Sequence, residues 1–224
     1  MYVTVEGIDG SGTTTVSRRL ANALTTDDRD VLLTTEPFDR EWHGEAVREA
    51  LSRDTSDVTD LFLFLADRAE HLEHRVRPAL ADGTTVVSDR GHDSTYAYQR
   101  SRVEDVVPNP WDWFDRMYEP WNLTPDLTLY LDVSVETAME RMDGDEKYET
   151  EENLREVQTQ YDHLATRLSD RYAVINADRP LDKVVADCTT VTRRAMDAPM
   201  SIEDGEVLTA LEAQGRLPDS MEAP

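Results

Sequence analysis

Near its N-terminus the chain reads Gly7-Ile8-Asp9-Gly10-Ser11-Gly12-Thr13-Thr14. The stretch matches the phosphate-binding pattern G-x-x-x-x-G-K-[ST] at every position except Thr13, which stands where the pattern has lysine. In such loops successive backbone N–H groups curl around phosphate oxygens, and the following helix presents its positive N-terminus to them. Thr14 supplies the hydroxyl that the pattern places on Mg²⁺. The stretch therefore predicts nucleotide binding more firmly than catalysis, because the absent lysine is the group that reaches the β- and γ-phosphates.

Strands and helices alternate along the rest of the chain. Five short apolar runs bounded by turn residues predict strands, and the apolar residues between them recur at helical spacing. The predicted strands cover residues 2–5, 31–34, 84–88, 127–131 and 173–175, and the longest predicted helix covers 61–80. This order predicts an α/β fold with a five-stranded parallel sheet and helices on both of its faces. Ligands of such sheets bind at the carboxyl ends of the strands, which is where Gly7, Glu36 and Asp89 fall.

The charge of the chain is strongly unbalanced. Its 224 residues include 47 acidic and 23 basic side chains, for a net charge of −24, and only Lys147 and Lys183 among the basic residues are lysines. An acidic, well-solvated surface of this kind is typical of proteins that work in multimolar salt, where charge repulsion is screened. We therefore expect a halophilic source. The same charge predicts that neither nucleic acid nor an anionic membrane is a partner.

Targeting signals are missing from the sequence. No apolar run approaches the length of a membrane span, and the N-terminus lacks the pattern of a signal peptide. The single cysteine, Cys188, cannot form an internal disulfide, which fits a reducing compartment. We therefore expect a cytoplasmic protein. Residues 1–197 predict one domain, and residues 198–224 predict an acidic C-terminal tail.

Three further segments bear on a nucleotide site. Phe64 and Arg68 are four residues apart and share one face of the predicted helix. Asp89-Arg90 follows the third strand directly, where a carboxylate suits hydrated Mg²⁺ and an arginine suits phosphate. The stretch Ser94-Thr95-Tyr96-Ala97-Tyr98-Gln99 places a serine at a helix start, with a tyrosine and a glutamine one turn later. Each segment alone also fits packing, capping or a surface ion pair, so both interpretations stay open at this point.

Taken together and in order, these segments resemble the thymidylate kinases, which are P-loop nucleoside monophosphate kinases. The resemblance rests on residues 6–12, Thr34-Thr35-Glu36-Pro37, residues 66–71, Asp89-Arg90, residues 94–99 and residues 125–133. It implies a P-loop NTPase-type three-layer fold with a short lid at residues 142–150. It also implies ATP-dependent phosphorylation of dTMP to dTDP, and a homodimer. The most specific part is the pairing of Phe64 and Arg68 with Ala97-Tyr98-Gln99, which other monophosphate kinases lack.

The resemblance implies a set of residues for the acceptor, dTMP. Asp9 would receive its 3′-hydroxyl, Phe64 would stack on the thymine, and Arg68 would donate to a thymine carbonyl oxygen. Arg90 would hold the acceptor phosphate, and Tyr98 would close the sugar side. The remaining members of this predicted site are Glu36, Ser94 and Gln99, of which Gln99 would contact the base edge.

The resemblance also implies a set of residues for ATP and catalysis. The whole loop from Gly7 to Thr14 would bind ATP, with Thr14 and Asp89 positioning Mg²⁺. Asp9 and Arg90 would act in catalysis together with Arg141 and with Lys147 of the lid. Phosphoryl transfer needs little covalent help from protein, so these residues would position the reactants and neutralise charge.

Three of the departures from the family pattern lose a positive charge. Thr13 replaces the loop lysine, Thr35 the arginine of T-R-E-P, and Gln158 an arginine of the penultimate helix. Lys147, in a mostly acidic lid, replaces another arginine. Gly91 replaces a tyrosine, which is an uncharged residue. Each lost phosphate contact costs about 3–4 kcal/mol of transition-state stabilisation.

Two hypotheses would restore the missing charge. Either Arg141 or Lys147 reaches the phosphates, or a bound K⁺ takes the place of the lysine ammonium. Two alternative functions also follow from the departures. One is a catalytically weak nucleotide-binding relative, and the other is a kinase of a different nucleoside monophosphate.

Overall fold

A computed structural model gives the structure of the chain and describes residues 1–27, 29–142 and 150–197. Lys147 and the central part of the predicted lid, residues 143–149, lie outside the described residues. The predicted C-terminal tail, residues 198–224, lies outside them as well.

The described residues form one α/β unit in which strands alternate with helices. Its strands are β1 (Tyr2–Glu6), β2 (Val31–Thr35), β3 (Thr85–Asp89), β4 (Leu127–Asp132) and β5 (Tyr172–Asn176). Its helices are α1 (Thr13–Thr25), α2 (Trp42–Leu51), α3 (Asp57–His71), α4 (Arg77–Ala81), α5 (His92–Gln99), α6 (Pro110–Tyr118), α7 (Val135–Arg141), α8 (Glu151–Arg167) and α9 (Leu181–Asp197). All strands are parallel in the order β2-β3-β1-β4-β5, so the predicted five-stranded sheet is confirmed.

The predicted long helix at 61–80 differs in detail from the observed one. Helix α3 begins earlier, at Asp57, because Ser56 caps it by accepting a hydrogen bond from the backbone N–H of Thr59 at 3.3 Å. A π-helical segment, Leu72–Val76, then joins α3 to α4. Hydrophobic spacing detected the helical character of the region but not the capping serine or the widened turn.

Side chains of β1 alternate between the two faces of the sheet. Val3 and Val5 lie in the hydrophobic core, whose other members include Val16 and Leu20 of α1. Thr4 and Glu6 point the opposite way, and Glu6 accepts hydrogen bonds from residues of α5 and α8. The layer between the sheet and α5/α8 is therefore partly polar, whereas the α1 side is apolar.

The loop after β2 is held from two sides. The backbone N–H of Phe38 donates to both carboxylate oxygens of Asp67, each at 3.1 Å. Helix α2 approaches the same loop at Gly44, where an added Cβ would lie 2.0 Å from the carbonyl oxygen of Phe38. Only glycine permits this approach, so Gly44 sets the distance between α2 and the loop that carries Glu36.

Replacement of Gly44 by alanine tests this contact. We expect Gly44→Ala to lower the free energy of unfolding by about 1–3 kcal/mol, because backbone must move to accommodate the methyl group. The exposed neighbour Glu45 provides the control, since Glu45→Ala leaves that contact intact. Denaturant midpoints of the two variants check the expectation, and equal midpoints would contradict it.

Candidate active site

A cavity of about 880 Å³ lies at the carboxyl edge of the sheet, where the sequence places the site. Its wall includes most of the predicted residues: Asp9, Gly10, Gly12, Thr13, Thr14, Glu36, Phe64, Asp89, Arg90, Ser94, Tyr98, Gln99 and Arg141. Gly7, Ile8, Ser11 and Arg68 are not part of that wall. The predicted phosphate and acceptor residues thus share one continuous space.

The phosphate-binding loop owes its shape to glycine. Gly10 has φ +78°, and a Cβ there would lie 2.4 Å from the carbonyl oxygen of Ala138. Gly12 has φ +95° and immediately precedes the first turn of α1. Both positions require the left-handed backbone region that glycine enters without strain. The loop therefore delivers the N-terminus of α1 to the cavity, with Thr13 and Thr14 in its first turn.

Thr14 and Asp89 meet across the strand ends. The Thr14 hydroxyl donates to Asp89 Oδ2 at 2.6 Å, while Asp89 Oδ1 is buried without a hydrogen-bond partner among the described residues. A hydroxyl and a carboxylate that meet beside a phosphate loop suit Mg²⁺, which takes one or two protein oxygens and keeps its other ligands from water and phosphate. The two side chains fit the metal that the sequence predicts.

Asp9, Arg90 and Tyr98 form a second cluster at the cavity wall. Arg90 Nη2 donates to Asp9 Oδ1 at 2.6 Å, and Arg90 Nη1 donates to the carbonyl oxygen of Gly7 at 2.8 Å. The Tyr98 ring lies 5.3 Å from the Arg90 guanidinium, and its hydroxyl accepts from the backbone N–H of Asp9 at 3.0 Å. Arg90 has φ +71°, an unfavourable backbone conformation for a residue with a Cβ. Such strain at a cavity wall is typical of functional positions.

A buried ion network lies behind the loop that carries Glu36. Arg68 Nη1 donates to both Glu36 oxygens, at 2.6 and 2.8 Å, and His71 Nδ1 lies 2.9 Å from Glu36 Oε1. Burial alone would raise the pKa of Glu36, but the charge of Arg68 and the bond from His71 outweigh it and lower that pKa to about 2. Glu36 is therefore ionised at neutral pH.

Arg68, which the resemblance assigns to the thymine, is buried within this network. Its side chain is 1% exposed, and its remaining donors go to Asn122 Oδ1 at 2.8 Å and to the carbonyl oxygen of Leu123 at 2.9 Å. Direct donation to a base would require these bonds to be exchanged. Helical spacing could not reveal this, because a polar residue beside Phe64 fits either a cavity wall or a buried pair.

Sequence reasoning missed several residues of the wall. Phe38 follows the predicted Glu36-Pro37, and its ring lies 5.1 Å from the guanidinium of Arg75. Arg75 lies seven residues after Arg68, a spacing that could have placed both on one helix face. Thr13 lies at the wall as an uncharged residue. Among the described residues, six arginines also line the cavity: Arg18, Arg40, Arg48, Arg75, Arg90 and Arg141. The cavity is thus richer in cations than the departures suggest.

One of the departures and one of the residues expected to restore charge have local partners. Gln158, which replaces an arginine, donates from Nε2 to the carbonyl oxygen of Val133 at 2.7 Å. Arg141, one of the two side chains expected to restore charge, donates from Nη2 to the carbonyl oxygen of Ala177 at 3.1 Å. Arg141 therefore lines the cavity while bound to backbone near its rim.

Loss of the Arg68 guanidinium tests the buried network. We expect Arg68→Met to lower the free energy of unfolding by about 3–5 kcal/mol, because Glu36 would keep a buried charge without its counter-ion. Arg116, which pairs with Asp112 on the exposed side of α6 at 3.0 Å, is the matched control. Arg116→Met should cost less than about 1 kcal/mol. Urea unfolding compares the two, and similar losses would contradict the expectation.

Most of the chain is similar to known proteins. A family model described as thymidylate kinase matches residues 5–188. A probable thymidylate kinase of Halobacterium salinarum (strain R1) is 39% identical over 197 residues, which cover 88% of this chain and 97% of that protein. Probable thymidylate kinases of Methanoculleus marisnigri and Natronomonas pharaonis are 41% and 39% identical, over 82% and 83% of this chain and 90% and 93% of their own lengths.

Proposed function

The chain belongs to the thymidylate kinase family, and we propose that it transfers the γ-phosphoryl group of ATP to dTMP. An oxygen of the dTMP phosphate forms a bond to the γ-phosphorus while the bond to the β–γ bridging oxygen breaks, which yields dTDP and ADP. The observation that carries the proposal is the shared cavity, in which the Asp9–Arg90–Tyr98 cluster lies beside the phosphate loop, to which Asp9 itself belongs.

We assign the acceptor to the part of the wall around Arg90. Arg90 would bind the acceptor phosphate, and Asp9, which already holds Arg90, would accept from the 3′-hydroxyl. Phe64 would stack on the base, with Tyr98 on the sugar side. The other acceptor residues in this proposal are Glu36, Ser94 and Gln99, which also line the cavity.

The donor side rests on the loop and the strand ends. Backbone N–H groups of residues 7–14 would bind the ATP phosphates, apart from those of Asp9 and Ser11, which donate to Tyr98 Oη and to the carbonyl oxygen of Ile8. Thr14 with Asp89 would hold Mg²⁺. The metal, when bound, would neutralise charge on the phosphates. Arg90 and Arg141 contribute positive charge from the protein itself, and Lys147 keeps its predicted role in the lid. Arg68 supports the site by fixing Glu36, whatever further contact it makes with the base.

The remaining proposals concern the assembly and its surroundings. Among the described residues, no helix combines the length and apolar composition that crossing a bilayer requires.

Helices α2 and α3 pack together and expose Trp42 and Phe62, which are 68% and 56% accessible. Large apolar side chains exposed on packed helices favour the homodimer that the family resemblance implies. A cytoplasmic location is supported by Cys188, which is a free, buried thiol.

A panel of acceptors tests the function. Purified protein in multimolar KCl receives ATP, Mg²⁺ and one monophosphate at a time, and ADP release is measured. We expect dTMP to be the best acceptor, ahead of dUMP and dCMP. Faster turnover of another monophosphate would support a different acceptor, and tight dTMP binding without ADP release would support a nucleotide-binding protein of little activity.

Replacement of Arg90 tests the assignment of the acceptor phosphate. We expect Arg90→Gln to lower kcat/KM for dTMP by at least about 100-fold, since a charge contact to phosphate is lost in a confined site. Arg116→Gln, far along α6 and outside the cavity wall, serves as the control for loss of an arginine. Activity of Arg90→Gln within a few-fold of the unaltered protein would overturn the assignment.

Restoring the loop lysine tests whether K⁺ supplies the missing charge. We expect Thr13→Lys to raise kcat by up to about 100-fold at low KCl and far less in multimolar KCl, where K⁺ already occupies the position. Thr13→Met adds length without charge and should not reproduce the gain. If Thr13→Lys gains no activity at any KCl concentration, no cation is missing at that position.

A further inference from the structure

Glu6 ends β1 directly before the phosphate loop, yet the proposed function gives it no role. Its side chain is fully buried beneath Arg90 and does not reach the cavity wall. A buried carboxyl in such a place is costly unless its hydrogen bonds serve the fold or the site. Those hydrogen bonds lead to the acceptor arginine.

Two hydroxyl groups connect Glu6 to Arg90. Ser94 Oγ donates to Glu6 Oε2 at 2.6 Å, and Tyr161 Oη donates to the same oxygen at 3.0 Å. The same two hydroxyl oxygens accept from Arg90 Nη1, at 3.2 Å for Ser94 and 3.4 Å for Tyr161. One oxygen of Glu6 thus anchors both groups that lie against one nitrogen of Arg90.

The direction of these bonds follows from the number of hydrogens. A hydroxyl has one hydrogen and two lone pairs, whereas a guanidinium only donates. While Ser94 and Tyr161 donate their hydrogens to Glu6, their lone pairs can accept the one hydrogen of Arg90 Nη1 that does not go to the carbonyl oxygen of Gly7. Without that acceptor, one of the two hydroxyls, which lie 2.8 Å apart, could donate to the other, and the second could then present its hydrogen toward Arg90.

The acceptor role survives protonation of Glu6. Burial, with the charge of Asp93, raises the pKa of Glu6 well above its ordinary value, which favours the neutral carboxyl. A neutral carboxyl still has a carbonyl oxygen that accepts hydrogen bonds. Glutamine offers the same oxygen in the same shape, so it should replace Glu6, whereas leucine should not.

We propose that Glu6 is a positioning residue for the acceptor phosphate, acting on Arg90 through the hydroxyls of Ser94 and Tyr161. The inference rests on the proposed function, because its measure is the affinity for dTMP. Glu6 touches neither substrate, and its effect is confined to the orientation of Arg90.

Three variants separate this role from general stability. Glu6→Leu should raise KM for dTMP by about tenfold or more, the range of a lost hydrogen bond to a charged group, and leave KM for ATP within about twofold. Glu6→Gln should recover most of that loss. Thr4→Val is the matched control, because Thr4 is buried on the same face of β1 and loses only its 3.1 Å hydrogen bond to Thr128. Equal KM values for Glu6→Leu and Thr4→Val would overturn the proposal.

A double-mutant cycle tests the route through the hydroxyls. In a Ser94→Ala/Tyr161→Phe background, Glu6→Leu should change KM for dTMP no further, because the groups it acts through are gone. The same fold-change in both backgrounds would overturn the proposal. If Glu6→Leu fails to fold, Glu6→Met takes its place, and the hydroxyl-free variant alone must still raise KM for dTMP. Failure of the unaltered protein to phosphorylate dTMP would instead refute the proposed function.

Discussion

The pairing of β1 with β3 is the constraint on which the site depends. Their register sets Val5 opposite Asp89, and the ladder continues as the backbone N–H of Arg90 donates to the carbonyl oxygen of Val5 at 3.0 Å. Residues more than 80 positions apart in sequence thereby end side by side. The contacts of Thr14 with Asp89 and of Asp9 with Arg90 are consequences of this register, because the segments after β1 and β3 leave the sheet at the same edge.

Buried ion pairs are the second organising feature. Arg171 donates to both oxygens of Asp93, at 2.7 and 2.8 Å, between the sheet and α5. Glu36 and Arg68 form a similar pair behind the cavity. Because desolvation makes an unpaired buried charge very costly, these pairs favour one arrangement of the helices over the sheet. The polar side of the sheet thus fixes the geometry of the residues above it.

Patterns in the sequence predicted the fold for local reasons, and 13 of the 30 residues of the cavity wall were among the predicted site residues. The strands were visible as apolar runs, and Gly10 and Gly12 marked a loop that only glycine can form. Partners distant in sequence were not predictable. Tyr161 lies 67 residues after Ser94, and nothing in its helix distinguishes it from a core tyrosine. The bonds of Arg68 could not be predicted for the same reason, since its partners Asn122 and Leu123 follow it by more than 50 positions.

The distribution of positive charge explains how a chain of net charge −24 can keep an anion-binding cavity. Salt at molar concentration screens charges beyond about 3 Å, so the distant acidic surface has little effect on a bound nucleotide. Direct contacts are screened much less. Arginine is suited to them because it remains charged and offers a planar set of donors to phosphate. The absence of lysine at position 13 therefore removes one local positive charge from a cavity whose wall contains six arginines.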